Sequence, residues 1–503
     1  MDRSHLLVLD EGTTSTRAVL YDREGRVLHV HAELLEQHYP APGLVEHDAN
    51  QIWERTLSCA RAVIEAAGGP ERIAAIGITN QRETTVAWDL ETGLAVRRAI
   101  VWQDRRTASR CEELRDQEDL VQRTTGLRLD PYFAGTKMAW LAQQPEAQAL
   151  GDRLALGTID SWLLFKLAGK RQTDVSNASR TLLMDLDATD WSPAMLDLFG
   201  VPRSALGVIG PCFGQLATTH ADLFGVPIPI CAMVGDQQSA TIGQACLEPS
   251  QAKLTLGTGA FALVNAGEAA PREPGRLLGT VLVDGAGRRS FALEGSIFVA
   301  GSLMQWLRDQ LGLIVTAGES EALAASIEDS GGVMLLPALA GLGAPYWAPE
   351  ARGMVTGMSF ATTRAHLARA ALEAVTHQVV DLADEFAACG VAWRELRLDG
   401  GMSANNWLAQ DLSDMLGIDV IRPDDVETTA RGAAILASVG AGLYPDIATA
   451  AAAMRPTERR FTPRRGQEAL REGRMERWHV LLRAAGVDAT GALPPGAVKA
   501  PHS

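Results

Sequence analysis

Apolar positions fall into short runs near the start of the chain, give way to helical repeats, and then restart near the middle. "LLVLD" (6–10) and "TRAVLYD" (16–22) are runs of strand length on either side of a glycine and a row of hydroxyl residues, which predicts a hairpin. "RIAAIGITNQ" and "TTVAWDL" read as further strands, whereas "DANQIWERTLSCARAVIEAA" has helical spacing behind an N-capping Asp48. "PIPICAMVGDQQSATIGQAC" passes from an extended segment into a helix over 236–246. At "LEPSQAKLTLGTGAFALVNAG" the opening pattern returns as strand, glycine-threonine turn, strand. That repetition predicts an internal duplication with its boundary near Glu248–Ser250.

The second half continues with "RRSFALEGSIFVAGSLMQWLRDQLG", a strand into a helix, and with the long helical pattern "RAHLARAALEAVTHQVVDLADEFAAC". "ELRLDGG" is a strand, and helices follow from Asn405 and from Thr429. Hairpins mixed with helices in this way predict α/β layers rather than a simple βαβ repeat. A length of 503 residues agrees with two domains of about 250 residues each. We read them as 1–248 and 249–490, with a flexible tail over 491–503.

Composition narrows the picture by exclusion. A net charge of −15 argues against nucleic-acid binding, and no uncharged apolar run is long enough to span a membrane. Six scattered cysteines without a C-x-x-C pair, and a start without a signal-peptide h-region, predict a cytoplasmic protein with neither disulfides nor a zinc site. His29 and His31 share one face of a strand, but no third ligand follows at a suitable spacing. "RPTERRFTPRRGQEALREGRMERW" carries eight arginines and four glutamates; Glu468, Glu472 and Glu476 at i,i+4 spacing predict a solvated, ion-paired helix.

The chemistry concentrates in the turns. Backbone N–H groups at a glycine turn make an anion-attracting concavity, to which Thr13, Thr14, Ser15 and Thr16 add hydroxyls and Arg17 adds charge. Asp10 at the strand's end suits a hydrated Mg2+. A plain hairpin with strand-favouring threonines accounts for the stretch equally well. The second turn, Gly257, Thr258 and Gly259, offers a matching grip on a polyphosphate. Gly257, Gly259 and Ala262 also fit a loose dinucleotide fingerprint, which requires a helix where "FALVN" reads as a strand. No Walker-type loop or protein-kinase catalytic loop occurs. Asp236 starts a helix, either as its cap or as a base that takes a hydroxyl proton. Arg82 and Glu83 follow a strand, where they are a surface pair or readers of vicinal hydroxyls, with Trp102 and Phe261 as an apolar wall. Gly400 and Gly401 let backbone approach a flat ring, with Asn405 as polar partner, or simply turn the chain.

Taken in order, "LDEGTTSTRA", "ITNQRETT", "IVWQDRR", "DPYFAGTK", "GDQQ", "GTGAF", "GMVTGMSFATTRAHLARAALE" and "DGGMSANN" resemble the FGGY carbohydrate kinases, and among them those that phosphorylate glycerol. The resemblance implies an α/β fold of two actin-like (ribonuclease-H-like) domains with the catalytic cleft between them. It implies ATP and glycerol as substrates, Mg2+ as cofactor, and a homodimer or homotetramer. Carried over by position, Arg82, Glu83, Trp102, Tyr132, Asp236, Gln237 and Phe261 form the glycerol pocket, with Asp236 the base. Thr13, Thr14, Ser15 and Arg17 form the first phosphate hairpin and Thr258 belongs to the second; Gly301, Gln305, Gly401 and Asn405 contact the nucleotide. Three positions depart from the family pattern. Glu11 replaces the usual glutamine and implies a negative charge beside the phosphates; Ala134 replaces a small hydroxyl residue. Asp222 stands where some members carry a phosphorylated histidine, and the same segment lacks their glycine-lysine-rich sugar-bisphosphate loop, which implies that neither regulation operates.

Overall fold

Strands β1 (His5–Glu11), β2 (Ser15–Tyr21), β3 (Val27–Leu34), β4 (Ile73–Asn80), β5 (Phe213–Thr218) and β6 (Pro229–Gly235) form one sheet in the order β5-β6-β4-β1-β2-β3. The computed structural model describes residues 3–425 and 427–487. β1, β4 and β6 run parallel, while β2, β3 and β5 are antiparallel to their neighbours. A second sheet comprises β7 (Gln251–Leu256), β8 (Ala260–Gly267), β9 (Leu278–Val283), β10 (Arg289–Ile297), β11 (Glu395–Asp399), β12 (Val420–Pro423) and β13 (Glu458–Phe461). Its order is β9-β10-β8-β7-β11-β12-β13. The central part β10-β8-β7-β11-β12 repeats the order and directions of β3-β2-β1-β4-β6, an antiparallel meander beside two parallel strands. The restart of the hydrophobic pattern near residue 250 is thus a restart of topology.

Parallel strands need cover on both faces. All eight residues of β4 are buried. On one face helix α1 (Ala49–Ala66) packs Ile52, Cys59 and Val63 against Leu7, Leu9, Ile76 and Ile78. Asp48 caps α1 as expected, accepting from the N–H groups of Asn50 and Gln51. Helix α2 (Asp236–Gly243) follows β6; α3 (Gly301–Asp309), α4 (Arg364–Ala388) and α5 (Asn406–Leu416) build the second half. Helix α6 (Thr428–Gly440) comes from that half yet lays Ala433, Ala434 and Ala437 on the other face of the first sheet, against Leu6, Val8 and Val234. It crosses α2 where a Cβ on Gly432 would lie 1.8 Å from the carbonyl oxygen of Ser239, so the two helices touch through backbone. That crossing joins the two halves of the chain.

A smaller four-stranded sheet (Glu46–His47, Thr85–Asp89, Ala99–Ile100, Leu154–Thr158) and the helix Ala134–Ala142 extend the first half. Their core continues into Leu278, Val281 and Phe291 of β9 and β10. Helix α7 (Glu468–Ala484) differs from its expectation. Trp478, Leu481 and Leu482 are buried against Leu336 and Leu342, and Arg474 is buried on Asp411 of α5 at 2.5 Å. Arg464 reaches Asp414 at 2.6 Å. Arg474 therefore turns inward to α5, and Arg464 reaches α5 from the surface, while Arg465, Arg477, Glu468, Glu472 and Glu476 stay on the expected solvated face. No helix among the described residues is long and apolar enough to cross a membrane. The tail read over 491–503 lies outside the described residues.

Of the two histidines, His31 alone, without His29, lies with Glu33 and the sulfur of Cys59 of α1 within a common 4.8 Å, a grouping that sequence spacing does not show because Cys59 comes from another element. Glu33, however, is already bonded to Arg55, and burial pushes the Cys59 thiol up to about 12, so the trio is poorly suited to a thiolate site.

Candidate active site

The register of the first sheet brings three strand ends side by side: Asp10 opposes Thr79, Glu11 opposes Asn80, and Gly235 opposes Asn80. Ligands of open α/β sheets bind at the carboxyl ends of such strands. Here those ends deliver the first hairpin, the Arg82–Glu83 pair and Asp236 to one place.

The hairpin turn is closed by Gly12 N–H donating to the Ser15 carbonyl at 3.0 Å. Thr13 is fixed from two sides, its hydroxyl accepting from Trp102 Nε1 at 3.0 Å and its carbonyl from Gln37 Nε2 at 2.8 Å; Thr14 is exposed. Arg17 is placed differently from its expected role. Its guanidinium is paired with Asp10 and, at 2.9 Å, with Glu427, so two carboxylates already balance its charge. Thr16 is buried and turned away from the cleft, bonded to Glu11.

Glu11 overturns a second expectation. Its carboxyl does not lie beside the turn; it is 1% exposed, with Oε1 accepting from the hydroxyls of Thr16 and Thr56 and Oε2 without a partner. Burial pushes its pKa up to about 8, so near neutral pH it is largely a protonated acid and brings little charge to the phosphate turn. Because the folded pKa lies above the unfolded value of about 4.5, the unfolded chain binds fewer protons between those values, and this group lowers stability as pH rises through that window. We therefore expect Glu11→Gln to melt close to wild type at pH about 5 and above it at pH about 9, with the gap widening steadily between. Thermal melts across that range check it; a constant gap contradicts a buried neutral acid.

Beyond the turn lies a cavity of about 70 Å³ lined by Thr13, Arg82, Glu83, Trp102, Tyr132, Asp236, Gln237 and Phe261 as well as Gln81. All seven residues expected in the acceptor pocket meet here. Trp102 and Tyr132 stand edge to face, 5.7 Å between ring centroids, and make its apolar wall. Arg82 Nε is 3.4 Å from Asp236 Oδ1. Asp236 is the first residue of α2, not its cap; Gly235 holds the cap position, and Asp236 Oδ1 accepts from Gln237 N–H at 2.7 Å. Burial raises the Asp236 pKa, and Arg82 and Lys253 offset part of that rise. A carboxylate shifted upward in this way is a better proton acceptor near neutral pH than an ordinary one.

Three residues around the pocket escaped the sequence reading. Glu294 of β10 takes both guanidinium ends of Arg82, at 2.6 and 2.9 Å, and Arg180 reaches Glu83 and Glu294 at 2.7 and 3.0 Å. Lys253 of β7 donates to Gln237 Oε1 at 2.6 Å. Glu294 and Lys253 are charges set among buried strand residues, in "FALEGSI" and "QAKLTL", and that anomaly was the available signal. Arg180 had none.

Across the cleft a cavity of about 450 Å³ is lined by Gly257, Thr258, Gly301, Gln305, Gly401 and Asn405 among others. The Thr258 carbonyl accepts from Ala300 N–H and Ser302 N–H, both at 3.0 Å, which ties the second turn to the start of α3. A Cβ on Gly301 would lie 2.4 Å from the Gly257 carbonyl oxygen, so only glycine permits that approach. Asn405 has a second task as the cap of α5, accepting from Leu408 N–H at 2.9 Å. After Gly259 the chain enters β8, so the helix a dinucleotide fingerprint needs is absent there.

A small pocket lined by an Arg–Glu pair, aromatic rings and a carboxylate, and a larger cavity behind the second turn, are carried by a duplicated two-sheet fold of the carbohydrate-kinase class. Residues 5–243 and 252–441 match the N-terminal and C-terminal domains of the FGGY family of carbohydrate kinases, and the chain belongs to that family. It is 50% identical to a glycerol kinase of Methylobacterium nodulans over 473 residues, 91% of this chain and 93% of that protein. It is 48% identical to one of Xanthobacter autotrophicus over 489 residues, 94% and 97% of the two chains. Among solved structures it is similar to Plasmodium falciparum glycerol kinase with ADP, with a TM-score of 0.91 at 32% identity, covering 97% of this chain and 99% of that one. The two-domain fold implied by the resemblance is borne out.

Proposed function

We propose that this enzyme transfers the γ-phosphoryl group of ATP to a terminal hydroxyl of glycerol, giving glycerol 3-phosphate and ADP. The observation that carries the reading is the small pocket: an Arg–Glu pair and an apolar wall beside a carboxylate of raised pKa. Relatives of nearly equal length bear the glycerol kinase name.

In this reading Arg82 and Glu83 donate to and accept from neighbouring hydroxyls, and Trp102, Tyr132 and Phe261 cover the carbon backbone. Asp236 takes the proton of the terminal O–H as that oxygen bonds to the γ-phosphorus. The bond from that phosphorus to the bridging oxygen breaks, and ADP leaves with the electron pair. The turns at Thr13–Ser15 and Gly257–Thr258 hold the phosphates from opposite sides. Closing the cleft excludes water as a competing acceptor. The donor chemistry fits Mg2+: Asp10 gives one oxygen to Arg17, and its Oδ1 has no hydrogen-bond partner among the described residues. Asp10 would hold the ion through a coordinated water, and when bound the ion neutralises phosphate charge. We assign the two domains to 1–248 and 249–490, and take the enzyme to be cytoplasmic and a homodimer or homotetramer.

Initial rates with glycerol, dihydroxyacetone, erythritol and xylulose test the acceptor. Glycerol is expected to give the highest kcat/KM and xylulose to fall below it by about 100-fold or more, since the carbonyl and extra hydroxyls of the longer chain have no matched partners beside the Arg82–Glu83 pair. Xylulose matching glycerol overturns the reading in favour of a ketose kinase.

A further inference from the structure

The residue that fixes the pocket's arginine comes from the other half of the molecule. Arg82 and Glu83 line the acceptor pocket, whereas Arg180 and Glu294 stand behind it. The four form one unbroken chain: Glu83 accepts from Arg180 Nε, Glu294 Oε1 accepts from Arg180 Nη2, and both Glu294 oxygens accept from Arg82. Their exposures are 3% for Arg82, 1% for Glu83, 0% for Arg180 and 1% for Glu294. Burial works against the Glu294 anion, yet Arg180 and Arg82 outweigh it and hold its pKa at about 2, so Glu294 stays charged at any working pH; burial shifts Glu83 the other way, upward, with Arg82 and Arg180 offsetting part of the rise.

Glu83 adds an independent observation. Its φ is +63°, in the left-handed region, which is uncommon for a residue with a side chain and persists where surroundings over-determine it. Arg180 grips the Glu83 carboxylate at 2.7 Å while the Thr85 hydroxyl donates to the Glu83 carbonyl and Thr84 N–H to the Arg82 carbonyl, so side chain and backbone are both fixed there. Arg82 is held at both guanidinium ends by Glu294, with Nη1 also donating to Gln238 at 3.2 Å, which leaves its Nε facing Asp236 at 3.4 Å and Glu83 at 3.9 Å. A fork held at both ends has little freedom to reorient.

We propose that Glu294 and Arg180 are positioning residues for the acceptor: the second half of the chain reaches across through Glu294 to aim Arg82, and Arg180 carries the same constraint on to Glu83. The acceptor site is therefore complete only when β10 is seated against the first half. The nucleotide cavity has no part in this chain, so its affinity is independent of it.

The inference rests on the glycerol reading, and the experiment separates the two. Glu294→Gln keeps the shape but removes the charge that orients two guanidinium groups. Glycerol KM is expected to rise about 20-fold or more, with kcat falling less than about fivefold and the ADP dissociation constant, by calorimetry, within about twofold of wild type. An unchanged glycerol KM, or a parallel loss of ADP affinity that marks a general structural role, overturns the proposal. If E294Q does not fold, Arg180→Lys decides instead. It keeps the charge but puts one ammonium nitrogen where two nitrogens of a planar fork served Glu83 and Glu294, so glycerol KM should rise about fivefold or more at constant ADP affinity. An unaltered KM in that variant is equally decisive against. Wild-type protein that does not turn over glycerol sinks the proposed function and this inference together; wild-type turnover with an unaffected variant sinks the inference alone.

Discussion

Asp236→Asn is expected to lower glycerol-dependent ADP formation by about 100-fold or more while leaving the ADP dissociation constant within about twofold. The two readouts separate because the two cavities are built from different residues. Asp236 lines the small pocket with Arg82 and Glu83, and the nucleotide cavity is lined by Gly257, Gly301, Gln305 and Asn405. Asparagine keeps the size of the side chain and can still accept from Gln237 N–H, so α2 starts as before. What disappears is a proton acceptor whose pKa burial has raised. In wild type kcat/KM therefore rises with pH through an ionisation above the ordinary carboxylate range, because the base acts only when deprotonated, and the variant's residual rate lacks that limb. Loss of ADP binding with the chemistry intact contradicts the assignment.

Arg82→Met has the second-largest expected effect, and it acts on two properties at once. Removing the guanidinium leaves Glu294 without one of its two arginine partners and Asp236 without the cation 3.4 Å away. Breaking a buried pair by deleting one partner costs about 3–5 kcal/mol, so the melting temperature should drop clearly. Glycerol KM should rise about 100-fold or more, since the pocket loses the charged donor that reads its hydroxyls. Denaturant unfolding together with initial rates checks both. A variant of full stability and unchanged glycerol KM would mean that Arg82 lies outside the acceptor site.

Most of this site was legible because its chemistry sits at the ends of strongly patterned elements. "LLVLD", "GITNQRE" and "MVGDQ" each announce a strand by apolar run and end on a polar residue, and parallel pairing then places those ends together. The second hairpin was legible for the same reason. Sequence pattern falls short where a side chain's partner is set by tertiary packing. Glu11 reads as a charge beside a phosphate turn, but alternation along β1 points it at Thr16 and Thr56. Arg17 reads as a free cation until Glu427 arrives from some four hundred residues later in the chain. Arg180 and Glu294 belong to no motif, and Arg474 reads as solvated until Asp411 of α5 is seen beneath it.

A crystal structure with glycerol and ADP bound together tests the central idea most directly. The expected result is glycerol in the small pocket, with one terminal oxygen about 2.6–3.2 Å from an Asp236 carboxylate oxygen and facing the ADP phosphates across the cleft. Glycerol bound elsewhere, or seated with Asp236 turned away from every hydroxyl, would contradict it.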